Sequence, residues 1–232
     1  MHTLRFWFDP VSPFAWLAFQ QLPLALSGIS HRVIYTPVFL GPLLRAHGQL
    51  GPAEVPPKRA WTYRHVQWLA HHLDWPMDMP SHHPFNPVSL LRLALAAASP
   101  EAPDACNRYV AETVFQHVWL GGGDATDPDR LARLRDTLAA HQQARGLTLA
   151  DPNGEAVKAQ LRANTEAALA AGVFGVPSIQ VGERVFWGLD SLPMLAACLR
   201  GDPWFEGPGW NGVDRPSGLS AGAAAAPVPP SA

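Results

Sequence analysis

The sequence predicts an α/β protein whose strands lie in two separate groups, with a long helical segment between them. Strand patterns, marked by large apolar and aromatic residues without a helical period, occur within residues 4–38 and 176–187. The segment between these groups shows helical spacing of its apolar residues and little strand signal. Helix starts are readable because a capping residue is repeatedly followed by proline, as at Ser12-Pro13 and Asp127-Pro128.

The composition indicates a globular protein close to electrical neutrality. Of the 232 residues, 47% are hydrophobic and 16% are charged, and the formal net charge is -2. Lys and Arg are scattered, which argues against nucleic acid as a partner. The sequence shows neither a cleavable leader pattern nor an apolar run of the roughly 18 to 20 residues that a membrane-spanning helix needs. We therefore expect a soluble, cytoplasmic protein without a membrane partner.

Two cysteines and ten histidines raise the question of redox or metal chemistry. Cys106 and Cys198 lie far apart, each within an apolar helical pattern, and form neither a CxxC motif nor a metal-ligand spacing. They are expected to be buried free thiols. The pairs His71-His72 and His82-His83 match no HExxH or Cys/His spacing, so we expect no metal site.

The first group of elements predicts a β-α-β unit. Residues 4–9 form a strand, Ser12-Pro13 starts a helix that continues through 14–21, and residues 31–38 form a second strand. A crossover of this kind is right-handed and places the two strands parallel.

Helical patterns follow a Gly- and Pro-rich loop at 48–57. The expected helices are 58–73, 88–98 after Asn86-Pro87, 105–120 from Asp104, 129–145 after Asp127-Pro128, and a helix opened by Asp151-Pro152 that runs to Ala171, with Gly172 just beyond its end.

The last group predicts a hairpin followed by a helix. Residues 176–181 and 184–187 are strands joined by a tight turn, and Asp190 or Ser191 caps a helix over 192–199. The complete order is the thioredoxin topology. We therefore predict an α/β, thioredoxin-like fold with an all-helical domain inserted between its βαβ and ββα halves. The expected division is 1–45 with 165–205 as the thioredoxin-like domain, 46–164 as the inserted domain, and 206–232 as a largely disordered tail.

The predicted topology gives the start of the first helix a special place. The first turn of a helix presents unpaired amides and a partial positive charge, which stabilise a thiolate. Redox proteins of this topology carry C-x-x-C there, whereas this chain has Ser12-Pro13-Phe14-Ala15. Disulfide exchange is excluded because neither sulfur is present, but the Ser12 hydroxyl can donate to the thiolate of a bound ligand. As an isolated residue, Ser12 is better explained as a helix cap.

A second signal is Val176-Pro177 before the third strand. In this topology the proline is usually cis and faces the first helix, so that the backbone of the preceding residue is turned towards a ligand. An ordinary trans proline at the start of an edge strand is the alternative.

Several motifs together carry a resemblance: FWFDPVSPFAWLA at 6–18, PKR at 57–59, NTEAA at 164–168, GVFGVP at 172–177 and FWGLD at 186–190. They resemble the motifs of one known family, the 2-hydroxychromene-2-carboxylate isomerases, and are similar to those of the related kappa-class glutathione transferases. They occur in the order of that family and cover roughly residues 4–205.

The resemblance implies that glutathione is the cofactor and that particular residues bind it. Ser12 matches the catalytic serine, which hydrogen-bonds the glutathione sulfur. The other matched positions are Gln49, where the family commonly has a contacting asparagine, Lys58, Asn164, Val176 with Pro177, Leu189, which is usually polar, and Asp190 at the γ-glutamyl end. Gln49 and Leu189 are departures from the family pattern and bear on the affinity for glutathione.

The implied activity is the glutathione-dependent isomerisation of 2-hydroxychromene-2-carboxylate to trans-o-hydroxybenzylidenepyruvate in aromatic catabolism. The alternatives are a kappa-like transferase or peroxidase and a non-catalytic glutathione-binding module. The resemblance also suggests a homodimer and a small aromatic substrate. Four tryptophans, Trp61, Trp68, Trp119 and Trp187, either line a pocket for that substrate or belong to the core.

Overall fold

The computed structural model describes residues 1–213, which contain four strands and nine α-helices. The strands are β1 (His2–Phe8), β2 (His31–Pro37), β3 (Ser178–Val181) and β4 (Arg184–Trp187). The helices are α1 (Pro13–Ala25), α2 (Leu40–Ala46), α3 (Pro56–His72), α4 (Val88–Ala96), α5 (Arg108–Trp119), α6 (Pro128–Ala144), α7 (Glu155–Ala170), α8 (Leu192–Leu199) and α9 (Pro208–Asn211). None of the helices in this part of the chain is both long and apolar enough to cross a membrane.

The four strands form one sheet in the order β2-β1-β3-β4. β1 and β2 are parallel, with Phe8 opposite Pro37 at their C-terminal ends, which confirms the predicted β-α-β unit. β3 is antiparallel to β1, and β4 is antiparallel to β3, which confirms the predicted hairpin. The sheet and its helices therefore have the predicted thioredoxin-like topology.

Both faces of the sheet are covered by helices. Leu4, Phe6 and Phe8 are fully buried in the main hydrophobic core, together with residues of α1, α5 and α8. Trp7 belongs to a smaller cluster on the other face, with Leu43 of α2 and residues of α7. Successive side chains of a strand point to opposite faces of the sheet. Because both faces are covered here, the consecutive residues at the end of β1 are all apolar.

The start of α5 differs from the prediction. The helix is capped by Asn107, whose Oδ1 accepts a hydrogen bond from the Val110 N–H at 2.9 Å. The predicted start at Asp104 is wrong because that carboxylate pairs instead with the Arg5 guanidinium at 2.5 Å. Cys106 consequently lies before the helix, where its N–H donates to the Tyr35 carbonyl at 2.9 Å.

The start of α7 also differs from the prediction. Asp151 closes a turn, with its Oδ1 accepting from the Asn153 N–H at 2.9 Å, and the helix begins only at Glu155. The predicted end is confirmed, because Gly172 follows the helix at a φ of 79°, a left-handed conformation that suits glycine.

The bounds of α8 agree with the prediction, but its capping does not. Ser191 occupies the N-cap position without a side-chain capping bond, and its Oγ donates to the Gly188 carbonyl at 2.8 Å. Asp190 lies in a 3-10 turn, Leu189–Ser191, that precedes the helix.

Part of the predicted disordered tail is ordered. α9 places Trp210 against Phe186 and Phe205, with ring centroids 5.6 and 5.5 Å apart. These aromatic contacts explain why the chain stays folded beyond residue 206. The prediction for residues 214–232 lies outside the described residues.

The proposed domain boundaries fall within helices. The boundary at 45/46 lies at the end of α2, and that at 164/165 lies inside α7. One buried cluster contains residues of β1 and α1 together with residues of α3, α4, α5 and α6. The helical segment and the sheet therefore share a core, and the division into two domains stays a prediction.

Candidate active site

Ser12 lies at the junction of three parts of the fold. It follows the turn after β1, it is the N-cap of α1, and it touches the segment before β3. Its Oγ accepts a hydrogen bond from the Ala15 N–H at 3.3 Å and donates to the Val176 carbonyl at 3.3 Å. The side chain is 7% exposed. The capping role predicted for Ser12 is therefore confirmed, and the hydroxyl also faces the Val176-Pro177 segment.

The Val176–Pro177 peptide bond is cis, as the sequence predicts. The Pro177 carbonyl accepts a hydrogen bond from the Gly188 N–H at 2.9 Å, which ties this segment to the end of β4. Within residues 1–213, the Val176 N–H has no hydrogen-bond partner. Together with its carbonyl, this amide forms an open backbone edge beside Ser12.

The first turn of α1 provides a further free donor. Pro13 has no N–H, the Ala15 N–H is engaged by Ser12, and the Phe14 N–H has no partner in the described part of the chain. A free amide at the start of a 13-residue helix carries the partial positive charge of the helix dipole. The arrangement suits an anion, such as a thiolate, placed next to the Ser12 hydroxyl.

Asp9 is a buried carboxyl group three residues before Ser12. Its Oδ1 accepts from the Val11 N–H at 3.0 Å, and its Oδ2 accepts from the Leu40 N–H at 2.9 Å. Burial raises the pKa of Asp9 to about 7, against the opposing effect of these two hydrogen bonds. Asp9 thereby connects the turn before Ser12 to the start of α2.

The turn before Ser12 is also held from the helical segment. The Trp119 Nε1–H donates to the Pro10 carbonyl at 2.9 Å, and the Nε2 of His83 lies 2.7 Å from the Val11 carbonyl. The sequence assigned no role to Asp9, and His83 was considered only as a possible metal ligand. The position of Asp9 directly after a buried strand is a sequence signal that could have identified it. No sequence signal shows which distant side chains meet this turn.

Lys58 lies on the face of α3 that approaches α1. Its side chain is exposed, and it shares a helical stripe, at spacings of three and four residues, with Trp61 and His65. The His65 ring packs edge-on against Phe14 with a centroid distance of 5.8 Å. Because Phe14 is two residues from Ser12, this stripe leads from the start of α1 towards Lys58.

Gln49 and Asn164 have different surroundings. Gln49 is exposed in the loop after α2, and its side chain makes no contact that connects it to Ser12 within residues 1–213. Asn164 is buried, and its Nδ2 donates to the carbonyls of Pro37 and Asp104 at 3.0 and 2.9 Å. Its Oδ1 accepts from Gln160, so a direct contact with glutathione would have to replace one of these bonds.

The remaining two predicted residues lie in the turn after β4. Leu189 is half-buried and packs against the main core, so its side chain offers no polar group to a ligand. Asp190 is exposed, and its carboxylate lies so close to Gly188 that a Cβ there would collide with Oδ1. Gly188 itself has a φ of 92° and bonds to Pro177, so Asp190 is placed close to the cis-proline segment.

Three of the four tryptophans considered from the sequence are exposed. Trp119 is fully buried, as core packing predicts, whereas Trp61, Trp68 and Trp187 are 65%, 56% and 52% exposed. Trp187 packs on Phe174 and also lies against Gly175. A Cβ added to Gly175 would be only 2.7 Å from the Nε1 of Trp187, so the indole fits there because residue 175 is glycine. Aromatic side chains therefore lie on two sides of the Ser12 region.

The cysteines lie away from this site. Both are free, Cys106 is buried and Cys198 only half-buried, and burial raises the pKa of the Cys106 thiol. In residues 1–213, no three His, Cys, Asp or Glu side chains come close enough together to hold a metal ion. The polar groups around Ser12 are therefore a hydroxyl, backbone amides and a buried carboxyl.

The chain is similar to known proteins along most of its length. A family model described as a DSBA-like thioredoxin domain matches residues 3–200. The glutathione S-transferase kappa 1 of Homo sapiens is 28% identical over 215 residues, which cover 87% of this chain and 92% of that protein. The 2-hydroxychromene-2-carboxylate isomerase of Sphingobium xenophagum is 26% identical over 199 residues, which cover 85% and 97%.

Solved structures support the fold. A structure of 2-hydroxychromene-2-carboxylate isomerase matches with a TM-score of 0.69 at 23% identity, covering 85% of this chain and 94% of that one. Both families that the sequence motifs resemble are thus represented among the similar proteins, at 28% and 26% identity. Since the family model spans most of the chain, this protein belongs to the DsbA-like thioredoxin family.

Proposed function

We propose that this protein is a glutathione-dependent isomerase that converts 2-hydroxychromene-2-carboxylate to trans-o-hydroxybenzylidenepyruvate. The observation that carries the proposal is the placement of the Ser12 hydroxyl between the start of α1 and the Val176 carbonyl. Relatives named as this isomerase and as kappa-class glutathione transferases support a glutathione-related activity.

The bonds of Ser12 are suited to exchange when a thiol binds. Both are 3.3 Å long, at the weak end of hydrogen-bond geometry. Turning the hydroxyl proton from the Val176 carbonyl to a glutathione sulfur therefore costs little. The sulfur would also accept from the free Phe14 N–H, so that a neutral hydroxyl, an amide and the helix dipole together stabilise the thiolate.

The same exchange prepares the backbone of Val176 for glutathione. Once Ser12 turns away, the Val176 carbonyl and its free N–H can pair with the cysteinyl amide groups of glutathione, as an added strand would. Asp190, placed near the cis-proline by the Gly188–Pro177 bond, supplies a negative charge for the γ-glutamyl ammonium. Lys58 supplies a positive charge for a glutathione carboxylate.

The surroundings of the site fit an aromatic substrate. Phe14, His65 and Trp61 form a continuous aromatic surface, with centroid distances of 5.8 Å for Phe14–His65 and 5.9 Å for Trp61–His65. Trp61 is 65% exposed, so its ring is accessible to a partner from solution. A flat aromatic ring is such a partner.

The proposed reaction is neutral in electrons and protons. The hemiketal ring of the substrate first opens: the ring carbon–oxygen bond breaks, the hemiketal carbon becomes a ketone, and the proton of the hemiketal hydroxyl passes to the phenol oxygen. The glutathione thiolate then adds to the carbon–carbon double bond conjugated with this ketone, which forms a carbon–sulfur bond and an enolate. The former double bond is now single and rotates. Collapse of the enolate breaks the carbon–sulfur bond, restores the double bond in the trans form and releases the thiolate unchanged.

The test is the rate of isomerisation with saturating glutathione. Ser12→Ala is expected to lower turnover about 10- to 150-fold, because a hydrogen bond to a charged group contributes about 1.5–3 kcal/mol. Full turnover by this variant would contradict the role of the hydroxyl. Absence of isomerisation by the wild-type protein would contradict the proposed reaction.

Two controls separate this chemistry from helix capping. Ser12→Gly also removes the hydroxyl but, as an N-cap, glycine costs only a few tenths of a kcal/mol in stability. It should therefore lose turnover while remaining nearly as stable as the wild type. Asp127→Ala removes the side-chain cap of α6 and should lower stability by about 1 kcal/mol while leaving turnover unchanged.

A kappa-like transferase is the second candidate, favoured by the 28% identical relative of that name. A transferase would keep the carbon–sulfur bond and release a leaving group. Rates with glutathione and an aryl halide, measured beside rates with the chromene acid, distinguish the two. Faster turnover of the halide would favour the transferase, and tight glutathione binding without either reaction would favour a binding module.

A further inference from the structure

We propose that His83 is a positioning residue for the catalytic site, acting through the Val11 carbonyl. This inference rests on the proposed function, in which the Ser12 hydroxyl and the first turn of α1 hold a thiolate. His83, Asp9 and Trp119 are together called the Pro10-Val11 clamp, because their side chains hold the two residues before Ser12.

The clamp holds this short segment at three points. The Trp119 Nε1–H donates to the Pro10 carbonyl at 2.9 Å, Asp9 accepts from the Val11 N–H at 3.0 Å, and His83 Nε2 lies 2.7 Å from the Val11 carbonyl. The bond from His83 is the shortest of the three. Both groups of the Val11 backbone are therefore fixed, directly before Ser12.

The partners of His83 determine which of its nitrogens carries the proton. A carbonyl oxygen only accepts, so Nε2 must be protonated for the bond to Val11 to form. Nδ1 is then an acceptor, and the Tyr63 hydroxyl shares its one proton between Nδ1, at 2.8 Å, and the His83 carbonyl, at 2.7 Å. Tyr63 of α3 therefore holds the ring of His83 from behind. Burial lowers the pKa of His83, which keeps the ring neutral at pH 7 and above.

The ring is also fixed by packing. His83 packs against Trp119 with a centroid distance of 5.5 Å and edge-on against Tyr63 at 5.4 Å. A ring held on two sides and bonded at both nitrogens has little freedom to move. The orientation that it imposes on Val11 passes directly to Ser12 and to the free Phe14 N–H.

Its sequence neighbour His82 makes none of these contacts. It is exposed, and its Nδ1 lies 3.2 Å from the Ser81 hydroxyl and 3.6 Å from an Asp124 oxygen. His82 is therefore a matched control with the same chemistry one residue away.

The experiment compares His83→Phe, His83→Gln, Tyr63→Phe and His82→Phe in the full chain. Thiolate absorbance of bound glutathione, titrated with pH, measures the pKa of its thiol. We expect His83→Phe to raise that pKa by about one unit and to lower kcat about tenfold, equivalent to the loss of one hydrogen bond. His83→Gln keeps an amide donor for Val11 and should recover part of both changes. Tyr63→Phe should give a smaller shift, and His82→Phe none.

Two results would overturn the proposal. One is a folded His83→Phe variant with the wild-type thiol pKa and kcat. The other is a shift of equal size in His82→Phe, which would indicate a general effect of losing a histidine in this loop. If His83→Phe does not fold, the comparison of His83→Gln and Tyr63→Phe with the wild type tests the same point.

A measurement without glutathione separates this inference from the proposed function. Nitrogen chemical shifts of labelled histidine report the tautomer, with the His83 signal identified by its loss in His83→Gln. We expect a neutral ring protonated at Nε2 and slow hydrogen exchange of that proton. The Nδ1-protonated form would overturn the clamp even if glutathione binds. Failure of the wild type to bind glutathione, with the expected tautomer present, would instead refute the proposed function.

Discussion

Asp9 is a buried carboxyl group whose surroundings change its acidity strongly. A carboxyl group that accepts two backbone hydrogen bonds is usually more acidic than in water, yet complete burial outweighs this effect here. The pKa of Asp9 is therefore about 7, so the carboxyl group keeps its proton up to about that pH. The sequence places Asp9 directly after β1, but only the tertiary structure buries it and brings the Leu40 N–H to its carboxyl group.

The first prediction concerns the pH dependence of stability. Between pH 3.8 and about 7, the folded protein keeps the Asp9 proton that the unfolded chain has lost. The free energy of unfolding should therefore decrease as pH rises through this window, by an amount on the order of 4 kcal/mol. Asp9→Asn, which cannot ionise, should flatten this decrease. Urea unfolding at pH 5 and pH 8 measures the difference between the two proteins.

The control for this experiment is Asp136→Asn, which removes a carboxylate from the exposed side of α6. It should retain the wild-type slope of stability against pH. An Asp9→Asn variant with the same slope as the wild type would show that Asp9 is not the group responsible.

At the scale of elements, helix starts were predictable where a side chain had no competing partner. Ser12 and Asp127 were identified as caps, and each accepts the expected backbone hydrogen bond. Asp104 was not a cap, because Arg5 on β1 takes its carboxylate across 99 positions of sequence. A pairing at that sequence separation leaves no local pattern.

The second prediction separates the two candidate caps of α5. Asn107→Ala should lower the free energy of unfolding by about 1 kcal/mol, because it leaves the Val110 N–H without its acceptor. Asp104→Asn should leave α5 intact and lose only its ion pair with the half-buried Arg5. Hydrogen exchange of the Val110 amide is the local measurement. Faster exchange in Asp104→Asn than in Asn107→Ala would contradict the assignment.

At the scale of the whole molecule, the helical segment and the sheet are joined by one core. Phe115 of α5 is fully buried, with ring centroids 5.1 Å from Phe8 of β1 and 5.2 Å from Phe19 of α1. Trp119, one turn further along α5, reaches the Pro10 carbonyl. The same helix thus stabilises the fold and positions the candidate site.

The third prediction tests this shared core. Phe115→Ala should lower the free energy of unfolding by about 3–5 kcal/mol, the usual cost of removing a buried aromatic ring. Helix content is followed by far-ultraviolet circular dichroism and the environment of the tryptophans by fluorescence. Both signals should change in one common unfolding transition, in the variant and in the wild type. Two separate transitions would indicate that the helical segment and the sheet unfold independently.

Much of the candidate site was predictable, but its supporting residues were not. Ser12 and Val176-Pro177 lie at positions that the order of elements makes special, and the structure brings them within 3.3 Å. Tyr63 lies in a helical pattern and His83 in the loop that follows it, so the contacts from Tyr63 to His83 and from His83 to Val11 could not be inferred. Asn164 was expected at the cofactor, but its amide is engaged by the ends of neighbouring segments.

The sequence by itself determined the order of the elements, the serine in place of a redox cysteine and the proline that precedes β3. These follow from local patterns: apolar periodicity, capping residues and the covalent preferences of proline. Only the tertiary structure decided which side chains surround Ser12, which carboxyl is buried and which tryptophans stay exposed. Burial and hydrogen bonding join residues distant in sequence, and such energies depend on the packed molecule as a whole.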